Sequence, residues 1–225
     1  MKPAPDIKCV LDAKAELGEV PVWCPIEQAL YWIDSEEPAL HRFDPASGDD
    51  RAWPLAEHIG SFALREQGGV VAAMNSGFFF IDLESGAVEQ ITDPEAHIPQ
   101  NGFNDGKCDR RGRFWAGTAH IDYANPPAEP GAALYRLDAD LTCHKMDDGF
   151  YEANTLAWSM DDSIMYFGDS NAGELFAYDF EIETGAIANR RLFARTAVAE
   201  IPLPEGTPAA DGSTIYAEGF LWSCF

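Results

Sequence analysis

The side chains in this sequence that could do chemistry recur at matching positions of a repeat, and most of them carry oxygen. Five short segments, each ahead of an aromatic-rich stretch, begin with Glu19, Gly60, Asn104, Asn154 and Asp211. Two carboxylates and two amides suit a hard divalent cation such as Ca²⁺, Mg²⁺ or Mn²⁺. Zn²⁺ is possible with carboxylates but usually recruits His or Cys. The alternative interpretation is that Asn and Asp occur there as turn formers.

The five segments are predicted to be strands of a repeated all-β unit. A second run, rich in aromatic and β-branched residues, follows each of them at 29–34, 69–74, 112–118, 163–170 and 219–225. A third run, of the form strand, Asp and Gly-containing turn, follows at 39–48, 77–86, 132–140 and 174–185. Short runs of this composition, bounded by Gly, Asp and Pro, are typical of strands. A unit of several strands that recurs every roughly 40 to 55 residues indicates propeller blades, whereas a β-sandwich would not require the self-similarity.

A propeller gives the repeated oxygen donors a common location. The innermost strands of all blades run alongside one axis, so equivalent positions form a ring around the mouth of a central channel. The sequence therefore predicts that Glu19, at the head of the first such strand, belongs to a ring of oxygen donors that converge on the axis.

Composition and charge limit which partners the protein can have. The chain has 225 residues, of which 46% are hydrophobic and 24% charged, and its net charge is −23. Such an acidic protein repels phosphate backbones and anionic membranes, so we expect neither nucleic acid nor membrane as a partner. The N-terminus lacks the pattern of a secretory signal, which predicts a cytoplasmic location. The five cysteines are scattered and the histidines dispersed, which argues against a disulfide framework and against a Ser-His-Asp or Cys-His catalytic arrangement.

Several strings in the sequence identify a family. The strings "LGEVPVW", "NGFNDGKCDRRGRFWAGT", "NTLAWSMDDSIMYFGDS", "AYDFEIETGAIANRRLFA" and "DGSTIYAEGFLW" resemble the senescence-marker-protein/gluconolactonase/luciferin-regenerating-enzyme family, which includes regucalcin and bacterial sugar lactonases. The resemblance covers essentially the whole chain, in the right order. It implies a single gluconolactonase-like domain over residues 1–225, a six-bladed β-propeller fold, one central divalent metal with Ca²⁺ favoured, and hydrolysis of sugar lactones by a monomer.

The resemblance also implies roles for individual residues. The family's metal ligands fall on Glu19, Asn154 and Asp211, and the aspartate at Asp211 is the proton donor and acceptor. The substrate-binding residues fall on Asn104 and Asp122. The chemistry is coherent, because a carboxylate next to a metal can take a proton from water and return it to the leaving alkoxide.

The sequence departs from the family pattern near these residues. Gly102 stands where an arginine is expected, so a charge-assisted substrate contact is missing. Val20 and Thr155 stand where glycine is usual, directly after two of the predicted metal ligands. Ala210 replaces a proline, and Tyr216 stands where an aspartate is expected.

The length predicts an incomplete propeller. The chain ends within the fifth repeat, so we expect about four and a half blades; a six-bladed member would need roughly 60 to 80 more residues. Besides a metal-dependent lactonase, two hypotheses therefore stay open: a metal-binding propeller with little or no catalytic activity, including a truncated degenerate copy, and a propeller that serves as an interaction scaffold.

Overall fold

The fold was analysed on a computed structural model that describes residues 8–122, 125, 127–196 and 210–224. All regular secondary structure within these ranges is β-strand, and every pair of neighbouring strands is antiparallel. Internal contacts divide the chain into two compact units, Met1–His58 and Ile59–Phe225. Within the described ranges, no helix is long and apolar enough to cross a bilayer. The all-β class is thus confirmed.

In its described part, residues 8–58, the first unit contains one four-stranded sheet. Its strands, in both sequence and spatial order, are β1 (Gly18–Cys24), β2 (Ala29–Asp34), β3 (Ala39–Phe43) and β4 (Asp50–Pro54).

The second unit contains three four-stranded sheets and a two-stranded one in the described residues. The second sheet consists of β5 (Ile59–Leu64), β6 (Val70–Met74), β7 (Gly77–Ile81) and β8 (Val88–Thr92). The third consists of β9 (Asn101–Cys108), β10 (Phe114–His120), β11 (Ala132–Leu137) and β12 (Cys143–Phe150). The fourth consists of β13 (Ala153–Trp158), β14 (Ile164–Asp169), β15 (Glu174–Glu181) and β16 (Ala186–Arg195). The last pair is β17 (Ser213–Ile215) and β18 (Leu221–Ser223). The strands therefore follow the predicted repeat, while the number of blades and the single domain over residues 1–225 stay predictions.

Two aspartates hold the backbone that precedes an inner strand. The one at the end of β2 binds the segment before β1, and the one at the end of β14 binds the segment before β13. The Asp34 carboxylate accepts hydrogen bonds from four backbone amides, those of Glu16, Leu17, Glu36 and Glu37. Burial alone would raise the pKa of Asp34, but these four donors together hold it below its usual value. Asp169 accepts equivalent bonds from the amides of Tyr151, Glu152 and Ala172. The aspartate that ends these two aromatic strands is therefore structural.

The core of the second unit lies between successive sheets. Phe114 and Trp115 are consecutive in β10 and point to opposite faces of the third sheet, as side chains of a strand must. The Phe114 ring lies 5.9 Å from the Phe78 ring of the second sheet, and the Trp115 ring lies 6.1 Å from the Trp158 ring of the fourth. Both residues are almost fully buried, and each such burial stabilises the fold by about 1.5–3 kcal/mol. The third sheet is thus apolar on both faces.

A fully buried carboxylate anchors the turn between β9 and β10. Asp109 Oδ2 accepts hydrogen bonds from Arg113 Nε at 2.6 Å and from Trp115 Nε1 at 2.9 Å. Its Oδ1 accepts the backbone amides of Arg111 and Arg113. The Asp109 side chain has no exposed surface, and Arg113 is 90% buried beside it. Each charge therefore depends on the other for compensation.

We expect Asp109→Ala to lower the free energy of unfolding by about 3–5 kcal/mol, because it leaves the buried Arg113 guanidinium unpaired. Urea unfolding followed by tryptophan fluorescence measures this loss. The matched control is Asp179→Ala, which removes an exposed ion pair with Arg191 and should cost less than about 1 kcal/mol. Equal losses for the two variants would contradict the anchoring role of Asp109.

Candidate active site

Four inner strands of the second unit lie side by side and carry the predicted ring positions. A Cβ at Gly60 of β5 would lie 2.5 Å from the backbone oxygen of Asn104, so only glycine permits this close approach to β9. Asn104 Nδ2 in turn donates to the backbone oxygen of Ala153 in β13, at 2.9 Å. The next contact runs from Thr155 of β13 to the segment that leads into β17. In the second unit, the positions of Gly60, Asn104, Asn154 and Asp211 are therefore neighbours.

The Thr155 side chain links β13 to Asp211. Its hydroxyl donates to the backbone oxygen of Asp211 at 2.6 Å and lies 3.1 Å from Ser213 Oγ. Thr155 is fully buried, and Lys107 of β9 adds a further bond from Nζ to the Ser213 backbone oxygen at 2.7 Å. Asp211 is thus held through its own carbonyl and through the residue two positions later. The backbone of the predicted acid–base residue is anchored to two other strands.

β-Bulges explain why the family pattern has glycine at the positions of Val20 and Thr155. The pairing register of β1 shifts between Glu19 and Val22, and that of β13 shifts between Asn154 and Leu156. Within these bulges Val20 has φ 49° and Thr155 has φ 52°. This left-handed region suits glycine, and a β-branched residue there stores strain of about 1–3 kcal/mol. The substitutions seen in the sequence thus strain the backbone directly after two predicted metal ligands.

The predicted ligands belong to different units. Glu19 is half-buried in the first unit and pairs with Ile33. Asn154 is buried in the second unit, and its Oδ1 accepts the amide of Thr155 at 2.9 Å. Asp211 is half-buried in that same unit. The convergence of Glu19 with Asn154 and Asp211 stays a prediction.

The charge of Asp211 acts on two further carboxylates. Burial, together with the negative charge of Asp211, raises the pKa of Asp105 to about 6, although Lys107 and two backbone amides oppose the shift. Burial and the charges of Asp169 and Asp211 raise the pKa of Glu152 to about 7. Asp105 and Glu152 therefore resist ionisation beside the charge of Asp211. The negative potential is concentrated around Asp211, which favours a bound cation.

Sequence reasoning did not single out Asp105, Lys107 and Glu152, although the strand period could have indicated them. Residues two apart on a strand share a face, so Lys107 follows Asp105 on one face of β9. Glu152 precedes Asn154 by the same interval. The hydroxyl contact of Thr155 had no comparable signal, because it depends on how two strands pack.

The donor set suits a hard cation that prefers oxygen. In the described ranges, no three His, Cys, Asp or Glu side chains lie close enough together to hold a metal ion by themselves. The predicted set has a different composition, because one of its three members is the amide of Asn154. Its oxygen donors, set in surplus negative potential around Asp211, fit Ca²⁺, Mg²⁺ or Mn²⁺ better than Zn²⁺.

Asp122 makes only local hydrogen bonds in the described structure. It is exposed, its backbone amide and carbonyl lie 3.2–3.3 Å from His120 Nδ1, and its Oδ2 accepts a bond from Asn125 at 2.9 Å. None of its hydrogen bonds to described residues involves Asn104 or Asp211. Its substrate contact stays a prediction.

Comparison with known proteins decides the family. Residues 17–225 match the SMP-30/Gluconolactonase/LRE-like region. The chain belongs to this family. A 6-deoxy-6-sulfogluconolactonase of Pseudomonas putida is 35% identical over 96% of the chain and 71% of that relative. An L-arabinolactonase of Azospirillum brasilense is 36% identical over 98% of the chain and 71% of its own length. A solved luciferin-regenerating enzyme superposes with a TM-score of 0.82 and 30% identity, over 92% of the chain and 68% of that structure.

Gly102 shows how this member of the gluconolactonase family differs from the family pattern. A Cβ at Gly102 would lie 2.3 Å from Asn75 Oδ1 and 2.8 Å from Ile121 Cγ2. The Asn75 amide therefore fills the space that the expected arginine would need. The loss of the arginine and the position of Asn75 are coupled, so restoring arginine alone would force Asn75 to move.

We expect Gly102→Arg alone not to raise kcat/KM on an aldonolactone, whereas Asn75→Ala with Gly102→Arg should raise it about tenfold. The reason is that a charge-assisted hydrogen bond contributes about 1.5–3 kcal/mol once the arginine can reach the substrate. Steady-state kinetics of the two single variants and the double variant measure the effect. A double variant no faster than Asn75→Ala would show that position 102 does not contact the substrate.

Proposed function

We propose that this protein is a divalent-metal-dependent hydrolase that opens sugar lactones of the aldonolactone type. The observation that carries the proposal is the grouping of acidic and amide side chains on neighbouring inner strands around Asp211. Family membership supports it, since two relatives are named as lactonases of a sulfogluconolactone and of L-arabinolactone.

The metal would be held by Glu19, Asn154 and Asp211, with Ca²⁺ favoured by the oxygen donors. When bound, it would polarise the lactone carbonyl and stabilise the negative charge that develops on its oxygen. The surplus negative charge of Asp105 and Glu152 beside Asp211 would favour this binding.

The protein's own residues account for proton transfer. The Asp211 carboxylate takes a proton from the attacking water as the water oxygen bonds to the lactone carbonyl carbon. It returns that proton to the ring oxygen when the carbon–oxygen bond breaks, which yields the open hydroxy acid. Thr155 holds the Asp211 backbone in place during both steps, and Asn104 and Asp122 would bind the sugar hydroxyls.

A second candidate is a metal-binding protein with little catalytic activity. The strained bulges at Val20 and Thr155 favour it, because placement of catalytic groups within about 0.5 Å matters more for turnover than for cation binding. Calorimetric titration with Ca²⁺ combined with a hydrolysis assay separates the two candidates.

The decisive experiment is hydrolysis of gluconolactone and arabinonolactone by the chain, treated with a chelator and then supplied with single metals. We expect hydrolysis above the spontaneous rate that the chelator abolishes and that Ca²⁺ or Mn²⁺ restores. The control is the same preparation with chelator that has been saturated with Ca²⁺ beforehand. Hydrolysis that persists after complete metal removal would contradict metal dependence, and metal binding without hydrolysis would favour the second candidate.

A further inference from the structure

Glu152 is a buried acidic residue whose backbone cannot move freely. It is 9% exposed. Its amide donates to Asp169 Oδ1 at 3.2 Å, and its carbonyl accepts the amide of Ser170 at 3.0 Å. An antiparallel bridge also joins it to Ala119 of β10. The side chain is therefore confined to the position that the backbone gives it.

The Glu152 carboxylate has no hydrogen-bond donor among the residues that the structure describes. The charged groups that face it are the carboxylates of Asp169 and Asp211, so its neighbours repel it. A largely buried carboxylate that faces two like charges and no described donor costs the fold stability. The described residues do not compensate this repulsion, which points to a ligand as the missing partner of Glu152.

The position of Glu152 indicates which ligand that is. It stands two residues before Asn154, on the same face of the extended chain. Its bridge to Ala119 places it at the end of β10, from which the chain continues to Asp122. Glu152 thus lies between the proposed centre at Asp211 and the segment that carries a predicted substrate contact.

A second metal ion is a poor match for this place. Both oxygens of Asp169 already accept backbone amides, from Tyr151, Glu152 and Ala172. Among the described residues, only Glu152 and Asp211 offer carboxylate oxygens without a described donor there, and Asp211 is assigned to the proposed centre, whereas Ca²⁺ takes six to eight oxygen ligands in a typical protein site. A hydroxyl group needs only one acceptor and suits a single carboxylate.

We infer that Glu152 contacts the substrate and makes the protein prefer neutral sugar lactones over those with an anionic group. This inference rests on the proposed function. A sugar hydroxyl donates to the carboxylate and satisfies it, while a carboxylate or sulfonate on the substrate meets the like charges of Glu152, Asp169 and Asp211. The absence of arginine at position 102 acts in the same direction, because that cation would have attracted an anionic group.

The test measures binding rather than turnover. The probes are a neutral sugar lactam, the amide analogue of the lactone that resists hydrolysis, and the same lactam with a terminal carboxylate, each titrated by calorimetry in Ca²⁺. We expect the wild-type chain to bind the neutral lactam about tenfold more tightly than the anionic one, since like-charge juxtaposition is costly. Glu152→Gln should bring this ratio close to one, because the amide keeps the shape and removes the charge.

Glu66→Gln is the matched control, because Glu66 is exposed in the turn before β6 and carries the same charge. It should leave the ratio unchanged. Glu152→Gln should unfold at the same or a higher temperature than the wild type, which confirms that the variant is folded.

Three outcomes overturn the inference: an unchanged ratio in Glu152→Gln, equal affinities for both lactams in the wild type, or no lactam binding by the wild type. Hydrolysis is measured separately on the same preparations. A Glu152-dependent ratio in a chain that opens no lactone would overturn the proposed lactonase and leave the binding role of Glu152 standing.

Discussion

Asp211→Asn should lower kcat for lactone hydrolysis by about 10²–10⁴-fold, because an amide cannot accept the proton of water and return it to the leaving alkoxide. The affinity for Ca²⁺ should fall much less, since the amide retains one oxygen that can coordinate a hard cation. The backbone should stay in place, because Thr155 bonds to the Asp211 carbonyl rather than to the carboxylate. Kinetics at saturating lactone and calorimetric Ca²⁺ titration give the two quantities.

Asp148→Asn is the matched control for this variant. Asp148 is exposed on β12, pairs with Lys145 at 2.6 Å, and lies outside the candidate site, so its substitution should leave kcat unchanged. An Asp211→Asn protein with the wild-type kcat would remove Asp211 as the acid and base. Loss of Ca²⁺ binding in parallel with activity would instead assign Asp211 to the metal alone.

Thr155→Val should lower kcat by about 100-fold and the free energy of unfolding by about 1–3 kcal/mol. Valine has the same branched shape, so the strain of the positive φ stays and only the hydroxyl is lost. The half-buried Asp211 then loses the Thr155 donor to its carbonyl, which accounts for the loss of stability. A displacement of the catalytic group by about 1 Å accounts for the loss of turnover. Urea unfolding and steady-state kinetics measure the two effects independently.

Thr155→Ser provides the comparison. Serine keeps the hydroxyl and removes the branch that strains the bulge. We therefore expect kcat to stay within about threefold of the wild type and the free energy of unfolding within about 1 kcal/mol. If Thr155→Val and Thr155→Ser behave alike, the hydroxyl is not what positions Asp211.

Much of the fold could be predicted because most inner and second strands of the second to fourth sheets, such as β5, β6, β10 and β13, are largely buried and apolar. The run "ALYWID" coincides with β2, Ala29–Asp34, and its final aspartate marks the strand end. The outermost strands were harder to recognise, since β8 and β16 expose most of their side chains and show little apolar periodicity. Solvent exposure, rather than weak strand propensity, hides them from the sequence.

The candidate site was predicted less completely than the fold. The repeat indicated Asn104, Asn154 and Asp211 because they occupy matching positions in successive repeats. It did not indicate Glu152, whose unsatisfied carboxylate becomes visible only when its neighbours in space are known. The sequence shows Val20 and Thr155 where the family has glycine, and the positive φ at both positions gives the physical reason for that glycine.

The alternation of Phe114 and Trp115 in β10 has a consequence for local unfolding of the protein. Since one face of the third sheet completes the core shared with the second sheet and the other face completes the core shared with the fourth, neither core survives if β10 detaches. Slow amide hydrogen exchange should therefore extend across β6, β10 and β14 with a common opening free energy, as one cooperative unit, while β16 at the solvent edge exchanges earlier. An added residue within β10 would exchange the two faces and break both cores at once, so tolerated insertions in this sheet should be confined to its loops.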